Sequence, residues 1–400
     1  MFRELLMGRL VGAVVVCAAL GSGVSSVSAA MLPPPNLDAK AYLLVDVTTG
    51  QVLAESNSQK PVEPASLTKL MTAYVVFDAL KQKQIQLDQT FTVSERAWRM
   101  EGSRMFIEPK MEIPVTDLLH GMIVQSGNDA TVALAEGVAG TVEAFVARMN
   151  AQAKALGMTQ TSYRNPEGLT ADGHTTSAHD LAILATRLMQ DFPAYTPIYK
   201  TQRYRYPGTP KANDKNRNLL LFRDPTVDGL KTGHTAAAGY CLVATAIRPV
   251  PSMGAGLEAK RMRRLLSVVL GSSSKSSRAT ESQKLLNWGY SNFALVTVAA
   301  PTQALTTQRV WKGQTKQARL GVVGGLAVSV PHGEADQLEV AVTPSAQLIA
   351  PLAAGLTVGQ VKVTLPDGTL VASEPLVVLD AVDEGSFLSR MWDTLLLSTE

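Results

Sequence analysis

The sequence predicts an α/β domain followed by a small all-β domain, and three observations carry that expectation. Up to about residue 293, apolar strand-like runs alternate with stretches whose apolar residues recur at helical spacing. Near Phe293 the composition changes, and short apolar runs separated by Pro, Gly and Asp take over. Three of them alternate with strand period: Leu326 to Val330, Leu338 to Val342 and Val361 to Leu365. Finally, 400 residues with 46% hydrophobic and 18% charged are globular and long enough for two cores. The formal net charge of +3 argues against a specialist in nucleic acid or other polyanions.

The N-terminus reads as a secretory signal. Arg3 and Arg9 are its basic part, Leu10 to Leu20 its apolar core, and Val27-Ser28-Ala29-Ala30 supply small residues before a cut, so residues 1–30 are expected to be removed. The apolar run is short for a membrane span, with an uncleaved signal-anchor as the alternative. Val14-Val15-Val16 ahead of Cys17 does not suit lipoprotein cleavage. Removal leaves Cys241 as the remaining cysteine, so no internal disulfide is expected. It lies in an apolar run, where a buried, inert thiol is expected.

After the proline-rich lead Pro33-Pro34-Pro35, Ala41 to Val47 reads as a strand that turns at Thr49-Gly50 and returns over Gln51 to Ala54. Beyond Pro64, a residue suited to a helix entrance, Leu67, Leu70, Met71, Tyr74 and Val75 form one helical stripe. Short strands follow at Phe91-Thr92-Val93 and Glu112 to Val115. Thr116-Asp117 starts a helix that delivers Ser126, Asn128-Asp129 starts another that runs to Ala139, and Thr141 caps a third that ends near Gly157. Asn165 to His174 is a loop, and Ser177 caps a helix through Met189 with Asp180 in its first turn. Thr201 to Tyr206 and Thr226 to Lys231 resemble strands, and Gly239 to Ile247 reads as a buried central strand. Arg248 to Met262, with Pro249, Pro251, Gly254 and Gly256, reads as a loop. Leu265 to Leu270 resumes a strand and Thr280 to Trp288 is a helix.

Residues 31–293 thus form the first domain and 294–381 the β domain, whose Pro366-Asp367-Gly368 turn leads toward Val377-Val378-Leu379. In the tail 382–400, Phe387, Leu388, Met391, Trp392, Leu395 and Leu396 share one stripe. This amphipathic helix is too short to span a bilayer and is expected to lie in an interface. From Val382 onward one basic residue, Arg390, stands against Asp383, Glu384, Asp393 and Glu400, so membrane binding must come from apolar burial.

Three motifs carry chemistry. Ser66 and Lys69 lie three apart and share a helix face, off the apolar stripe. A serine at a helix N-terminus beside a desolvated lysine has the parts of a nucleophile and its base. Taken alone, this spacing more often marks a capping serine and a solvated lysine. However, Ser126-Gly127-Asn128 and Lys231-Thr232-Gly233 follow in order, the latter before a strand-like run. Each triplet is weak; the ordered set of Ser-x-x-Lys, Ser-x-Asn and Lys-Thr-Gly is the signature of penicillin-binding proteins and serine β-lactamases.

With these residues in view, the chain resembles the low-molecular-mass penicillin-binding proteins, the D-alanyl-D-alanine carboxypeptidases of peptidase family S11. The similarity covers nearly the whole chain, including Pro64 to Lys69, Gln125 to Asp129, the Gly168 to Asp180 segment, Asp228 to Thr235, Glu281 to Gly289, the β domain and the terminal helix. The resemblance implies a β-lactamase/DD-peptidase-like catalytic domain followed by a β-sandwich, and trimming of the terminal D-alanine from peptidoglycan stem peptides. It also implies acylation by β-lactams, no cofactor, and a periplasmic enzyme held peripherally on the outer face of the inner membrane. By the same resemblance Ser66 is the nucleophile, Lys69 its base and Ser126 the relay to the leaving amine. Asn128 binds the substrate backbone, Lys231 supplies a positive field, Thr232 meets the terminal carboxylate, and Gly233 lets substrate approach the strand edge. The N–H groups of Ser66 and His234 form the oxyanion hole, and Arg278 is a further carboxylate partner, with a solvated loop arginine as the alternative.

Two features depart from the family pattern: Glu167 stands where members often carry a histidine, and the Arg248–Met262 segment is long, which would alter access near the site. His120, His174 and His179 stand at no metal-ligand spacing and read as structural. Other readings are a β-lactamase that uses Glu167, a DD-endopeptidase, and an inactive wall-binding scaffold. The β domain and the Asn165-Pro166-Glu167-Gly168-Leu169 context disfavour the first, the β domain also disfavours the second, and the intact Ser66, Lys69, Ser126 and Lys231 disfavour the last.

Overall fold

Residues 32–254, 260–345 and 347–398 are described by a computed structural model. The expected signal segment lies outside them. Strands β1 (Ala41–Asp46) and β2 (Val52–Ser56) form the first hairpin, and a 3₁₀ turn, Ala65–Thr68, leads into α1 (Lys69–Lys81). The short strands β3 (Thr90–Thr92) and β4 (Glu112–Pro114) pair with each other around α2 (Glu95–Trp98). A helical cluster follows: α3 (Val115–His120), a π-helical turn Gly121–Gln125, α4 (Asn128–Ala139), α5 (Val142–Ala155) and α6 (Ala178–Asp191). Thr141 and Ser177 cap α5 and α6 by accepting from Ala144 and Asp180 N–H, the bonds that serine and threonine at these positions predict. Then come β5 (Val227–Thr235), β6 (Gly239–Gly254), β7 (Lys260–Ser272) and α7 (Lys275–Asn292).

With β8 (Phe293–Ala299) and β11 (Leu326–Pro331) from further along the chain, the main sheet runs β11-β8-β6-β7-β1-β2, with β5 paired to β6. It is buried on both faces. Leu43, Val45, Val243, Leu266 and Val268 face the core of α1, α4 and α6, while Leu44, Leu242, Ala244, Leu265 and Val269 face Leu285 and Leu286 of α7. The side-chain period of two makes each strand an unbroken apolar run. Helix α1 is likewise buried nearly all round, from Lys69 to Leu80 with Asp78 as the exception, so its apolar stripe understated how central it is.

Three segments differ from the sequence reading. Arg248 to Met262 is not a loop near the site. β6 and β7 continue as a hairpin arm, pairing Arg248 with Arg263, Pro249 with Met262 and Pro251 with Lys260, and the arm then lies parallel to β8 (Phe293–Ala299) through Met253 and Val296. Pro249 and Pro251, two apart, turn their N–H-less edge the same way and leave the ladder to β7 intact on the other. Thr201 to Tyr206 forms only an isolated bridge, Arg203 with Lys215, closed by Tyr204 N–H on the Asp214 carbonyl and Asn216 N–H on the Gln202 carbonyl. The helix expected at Thr280 begins five residues earlier, capped by Ser274.

The β domain continues with β9 (Thr306–Trp311), β10 (Gln317–Gly321), β11 (Leu326–Pro331), β12 (Glu339–Pro344), β13 (Leu348–Ile349), β14 (Thr357–Thr364) and β15 (Leu370–Val378). Six of these make a sheet ordered β12-β14-β15-β10-β9-β13, while β11 pairs with β8 and so joins the main sheet. At this seam Arg263 and Asp46 form a fully buried ion pair at 2.7 Å. The same guanidinium donates to the Phe293 carbonyl at 2.6 Å and to Ser329 Oγ at 2.8 Å, tying both domains to one charge pair. Removing one partner of such a pair costs about 3–5 kcal/mol, since the other is left buried and uncompensated. Cys241 is buried within β6, and burial pushes its thiol above the ordinary cysteine value.

The terminal helix α8 (Phe387–Leu397) is docked by its polar side. Buried Asp393 accepts from Lys312 N–H at 2.6 Å and from Lys316 Nζ at 3.2 Å. Phe387, Leu388, Met391, Trp392 and Leu395 point outward and are 57–76% exposed. Among the described residues no single helix is long and apolar enough to cross a membrane.

Candidate active site

The 3₁₀ turn that precedes α1 presents Ser66 half-buried at the start of this deeply buried helix. Being three residues further on, Lys69 stands one turn above it, and its Nζ lies 3.2 Å from Ser66 Oγ. The lysine is buried and fully engaged: Nζ donates also to Asn128 Oδ1 at 2.8 Å and to the Glu167 carbonyl at 2.6 Å. Burial pushes Lys69 down to about 7; the Glu167 and Asp129 carboxylates oppose that shift and the Arg217 guanidinium adds to it. Near neutrality such an amine accepts a proton readily.

The second motif sits where the π-helical turn ends. Ser126 occupies the left-handed region at φ 61°, an uncommon place for a non-glycine residue and a local strain often kept at functional sites. Lys231 Nζ on β5 donates to Ser126 Oγ at 2.9 Å and to the Thr232 carbonyl at 2.9 Å. Each of the two lysines therefore reaches one of the two serines. Burial, with Lys69, Arg217 and Arg278 nearby, also pushes Lys231 well below the ordinary lysine range. Asp129, next to the motif, is buried and accepts from the N–H groups of Met105, Phe106 and Ala130, which locks the wall formed by residues 103–107.

Strand β5 pairs only with β6 among the described strands, so its other edge faces the Ser66 turn. Gly233 eases that approach: a Cβ there would meet the Pro64 carbonyl at 3.1 Å and Leu67 at 3.2 Å, so the turn would have to give by a few tenths of an ångström. The close contact at Gly233 in this structure is thus strand against nucleophile turn. His234 is exposed and its ring stacks on Tyr240 at 4.0 Å. Arg278 is buried on α7, not solvated in a loop, and donates to the Gly233 carbonyl at 3.0 Å. Burial lowers it to about 10. Asn128 has both halves of its amide in use, Oδ1 by Lys69 and Nδ2 by the Glu101 carbonyl at 2.6 Å.

The loop 165–174 completes the site from below. Gly168, at φ +89°, packs where a Cβ would stand 1.9 Å from the Ala65 carbonyl. His174 is structural. Its Nδ1 lies 3.2 Å from Arg164 N–H and its Nε2 2.9 Å from Thr68 Oγ1, which in turn donates to the Ala65 carbonyl at 2.8 Å. The hydroxyl proton being committed, the imidazole must be the neutral Nε2–H tautomer, and burial lowers its pKa to about 4. His120 bonds to the Thr116 carbonyl and stacks on Tyr204.

Sequence reasoning missed Arg217. It donates to the Gln125 carbonyl at 3.0 Å and acts on Lys69, Lys231 and Arg278 alike, yet no motif surrounds it. Nor could spacing reveal that main-chain carbonyls of residues 101 and 167 hold the site, since a carbonyl leaves no trace in residue type.

Comparison with known proteins finds matches over both parts of the chain. Residues 27–273 match the family model of the D-alanyl-D-alanine carboxypeptidases, peptidase S11, and residues 293–384 match the C-terminal domain of penicillin-binding protein 5. The chain is 40% identical to the D-alanyl-D-alanine carboxypeptidase DacC of Escherichia coli over 91% of its length and 89% of the relative. Its structure is similar to that of penicillin-binding protein 5 from Haemophilus influenzae, with a TM-score of 0.79 at 36% identity, covering 88% of this chain and all of that one. It is also similar, at TM-score 0.55 and 30% identity, to penicillin-binding protein D2 of Listeria monocytogenes in its ampicillin-bound form, over 64% of this chain and 98% of the other.

Proposed function

The chain belongs to the D-alanyl-D-alanine carboxypeptidase family S11, and from that premise we propose a role for each residue in a reaction that removes the terminal D-alanine from peptidoglycan stem peptides. The enzyme is a serine hydrolase of the penicillin-binding class. The observation that carries the assignment of roles is the buried Lys69 amine 3.2 Å from Ser66 Oγ.

In this reading Ser66 Oγ attacks the carbonyl of the penultimate D-alanine while its proton passes to Lys69. The carbon–nitrogen bond to the terminal residue breaks, and Ser126 relays to the departing amine the proton that Lys69 took up, its own hydroxyl being restored. Water then hydrolyses the acyl-enzyme. The N–H groups of Ser66 and His234 hold the oxyanion, a contribution of about 3–4 kcal/mol per donor in comparable sites. Lys231, Thr232 and Arg217 receive the terminal carboxylate, whose charge offsets the mutual repulsion of the cations and draws Lys231 toward its charged form. Arg278 holds β5 in place through the Gly233 carbonyl. Asn128 meets the substrate backbone with whatever hydrogen-bonding capacity Lys69 and Glu101 leave to it. A β-lactam carbonyl suffers the same attack, but its amine stays tethered, so the ester persists. Purified protein given a pentapeptide ending in D-Ala-D-Ala is expected to release one D-alanine per peptide and leave the tetrapeptide; cleavage elsewhere, or none, contradicts the reading.

We further propose that the enzyme is exported and held at the outer face of the inner membrane by α8. The outward apolar face supports this, and Asp393, paired with Lys316, no longer counts as free negative charge against an anionic surface. Each large side chain buried in lipid contributes roughly 1.5–3 kcal/mol, so attachment rests on apolar burial and should survive high salt. Deleting residues 386–400, or changing Trp392→Glu with Leu395→Glu while keeping Asp393, is expected to release the protein on fractionation with its activity on soluble peptide unchanged. Retention of both variants in the membrane fraction, or release of the full chain by salt alone, contradicts this.

A further inference from the structure

The loop residue that departs from the family pattern lies against the base. Glu167 offers its carbonyl to Lys69 Nζ at 2.6 Å, and its side chain is buried at 6% exposure. The main chain around it has no freedom to swing away. Thr72 Oγ1 donates to the Pro166 carbonyl at 2.6 Å, Asn165 Oδ1 takes the N–H groups of Gly168 and Leu169, and Gly168 is wedged against the Ala65 carbonyl. With the carbonyl fixed on the amine, the carboxyl is held within one side chain's length of it. Taking Lys69 to be the base, as above, we propose that Glu167 is a positioning residue for it: its carboxylate holds the proton on Lys69 and so sets the pH at which Ser66 becomes reactive.

The other charges around Lys69 cannot do this as well. On α4, Asp129 spends its oxygens on the Met105, Phe106 and Ala130 N–H groups, with Arg104 3.8 Å away. From the 213–218 segment comes Arg217, a cation that repels a proton on Lys69, and from β5 comes Lys231, which repels one when it is itself protonated. Glu167 is the largest charged influence on the lysine and acts against burial, which with Arg217 drives it toward neutrality. The effect is mutual: burial raises Glu167, and Lys69 is the charge that most opposes the rise, with Arg96 from α2 adding less while engaged with Glu143 at 2.8 Å. Glutamate and lysine therefore titrate as one pair.

The test is the rate of acylation by a labelled penicillin between pH 5 and 10, in full-length wild type and in Glu167→Gln and Glu167→His, both of which keep the main-chain carbonyl and remove the negative charge. In both, the midpoint of the acid limb is expected to move down by about one pH unit, since the lysine loses the charge that favours its proton. Acylation at pH 6 then rises several-fold while the alkaline plateau is kept. Glu167→Asp, which keeps the charge, leaves the midpoint near that of wild type. A loop residue with only a structural role would lower the plateau or the melting temperature and leave the midpoint where it was. An unmoved midpoint in either folded, charge-removing variant overturns the proposal. If neither folds, an acid limb in Glu167→Asp displaced as far as a charge loss would move it does the same. A wild type that takes no label overturns the assignment of Ser66 and Lys69 as well, so the two failures are distinguishable.

Discussion

Ser66→Ala is expected to lose both D-alanine release and penicillin labelling while keeping the wild-type fold. The mutation removes one oxygen atom from a half-buried turn whose backbone is held elsewhere, by Thr68 Oγ1 on the Ala65 carbonyl and by Gly168 against it. The stability change should therefore be small. The catalytic change is not, since the nucleophile of a serine hydrolase acts as a unit with its base and removing it costs on the order of 10⁶ in kcat. Unchanged circular dichroism and melting temperature, together with loss of both activities, is the expected pattern. Covalent labelling of a folded Ser66→Ala protein would falsify the assignment.

Lys69→Ala should slow acylation by at least about 100-fold, the lower end of what a positioned base contributes. The same change leaves Asn128 Oδ1 and the Glu167 carbonyl without their donor, so some loss of stability is expected beside the loss of rate. Lys231→Ala should act differently. That amine reaches Ser126 rather than Ser66, so its loss should weaken recognition of the carboxylate as well as slow acylation. Wild-type acylation rates in either variant would sink this division of roles. In the wild type the base form of Lys69 is lost as pH falls through about 7, so the rate should fall on the acid side of that value. A flat pH–rate profile would count against a lysine base.

Much of the fold was legible because local rules and tertiary contacts agree. Thr141, Ser177 and the alternating apolar runs specify caps and strands by residue type alone. The order of domains follows from the shift in composition at Phe293. The arm formed by β6 and β7 was misread because Pro249, Pro251 and Gly254 carry the usual signs of a loop. The tertiary partner that overrides them, β8, lies some forty residues downstream of them in the chain. Likewise the stripe of α1 understated its burial, because Lys69 and Thr72 look polar in sequence yet are buried, together with Ala73, Val76 and Phe77, where the helix packs against α4, α5 and α6.

The site was legible as far as it is made of motifs. Ser66, Lys69, Ser126, Asn128 and Lys231 could be named because their chemistry needs those residue types at those spacings, and the structure brings their side chains into two hydrogen-bonded groups, Ser66 and Asn128 on Lys69 and Ser126 on Lys231. Parts built from main-chain carbonyls, such as Glu101 and Glu167, were not legible. The same holds for Arg217, which arrives from an irregular segment. The terminal helix was read correctly as amphipathic, but its charge balance was not. Asp393 counts as a surface anion in sequence and is in fact the docking residue that turns the apolar face outward.

The measurement that bears most directly on the account is the site of acylation. Wild-type protein would be treated with a penicillin, digested and mapped by mass spectrometry. The account predicts a single added penicilloyl group on the peptide that contains Ser66, carried by that serine. An adduct on any other residue, Ser126 included, or a protein that remains unmodified while still releasing D-alanine, would contradict it.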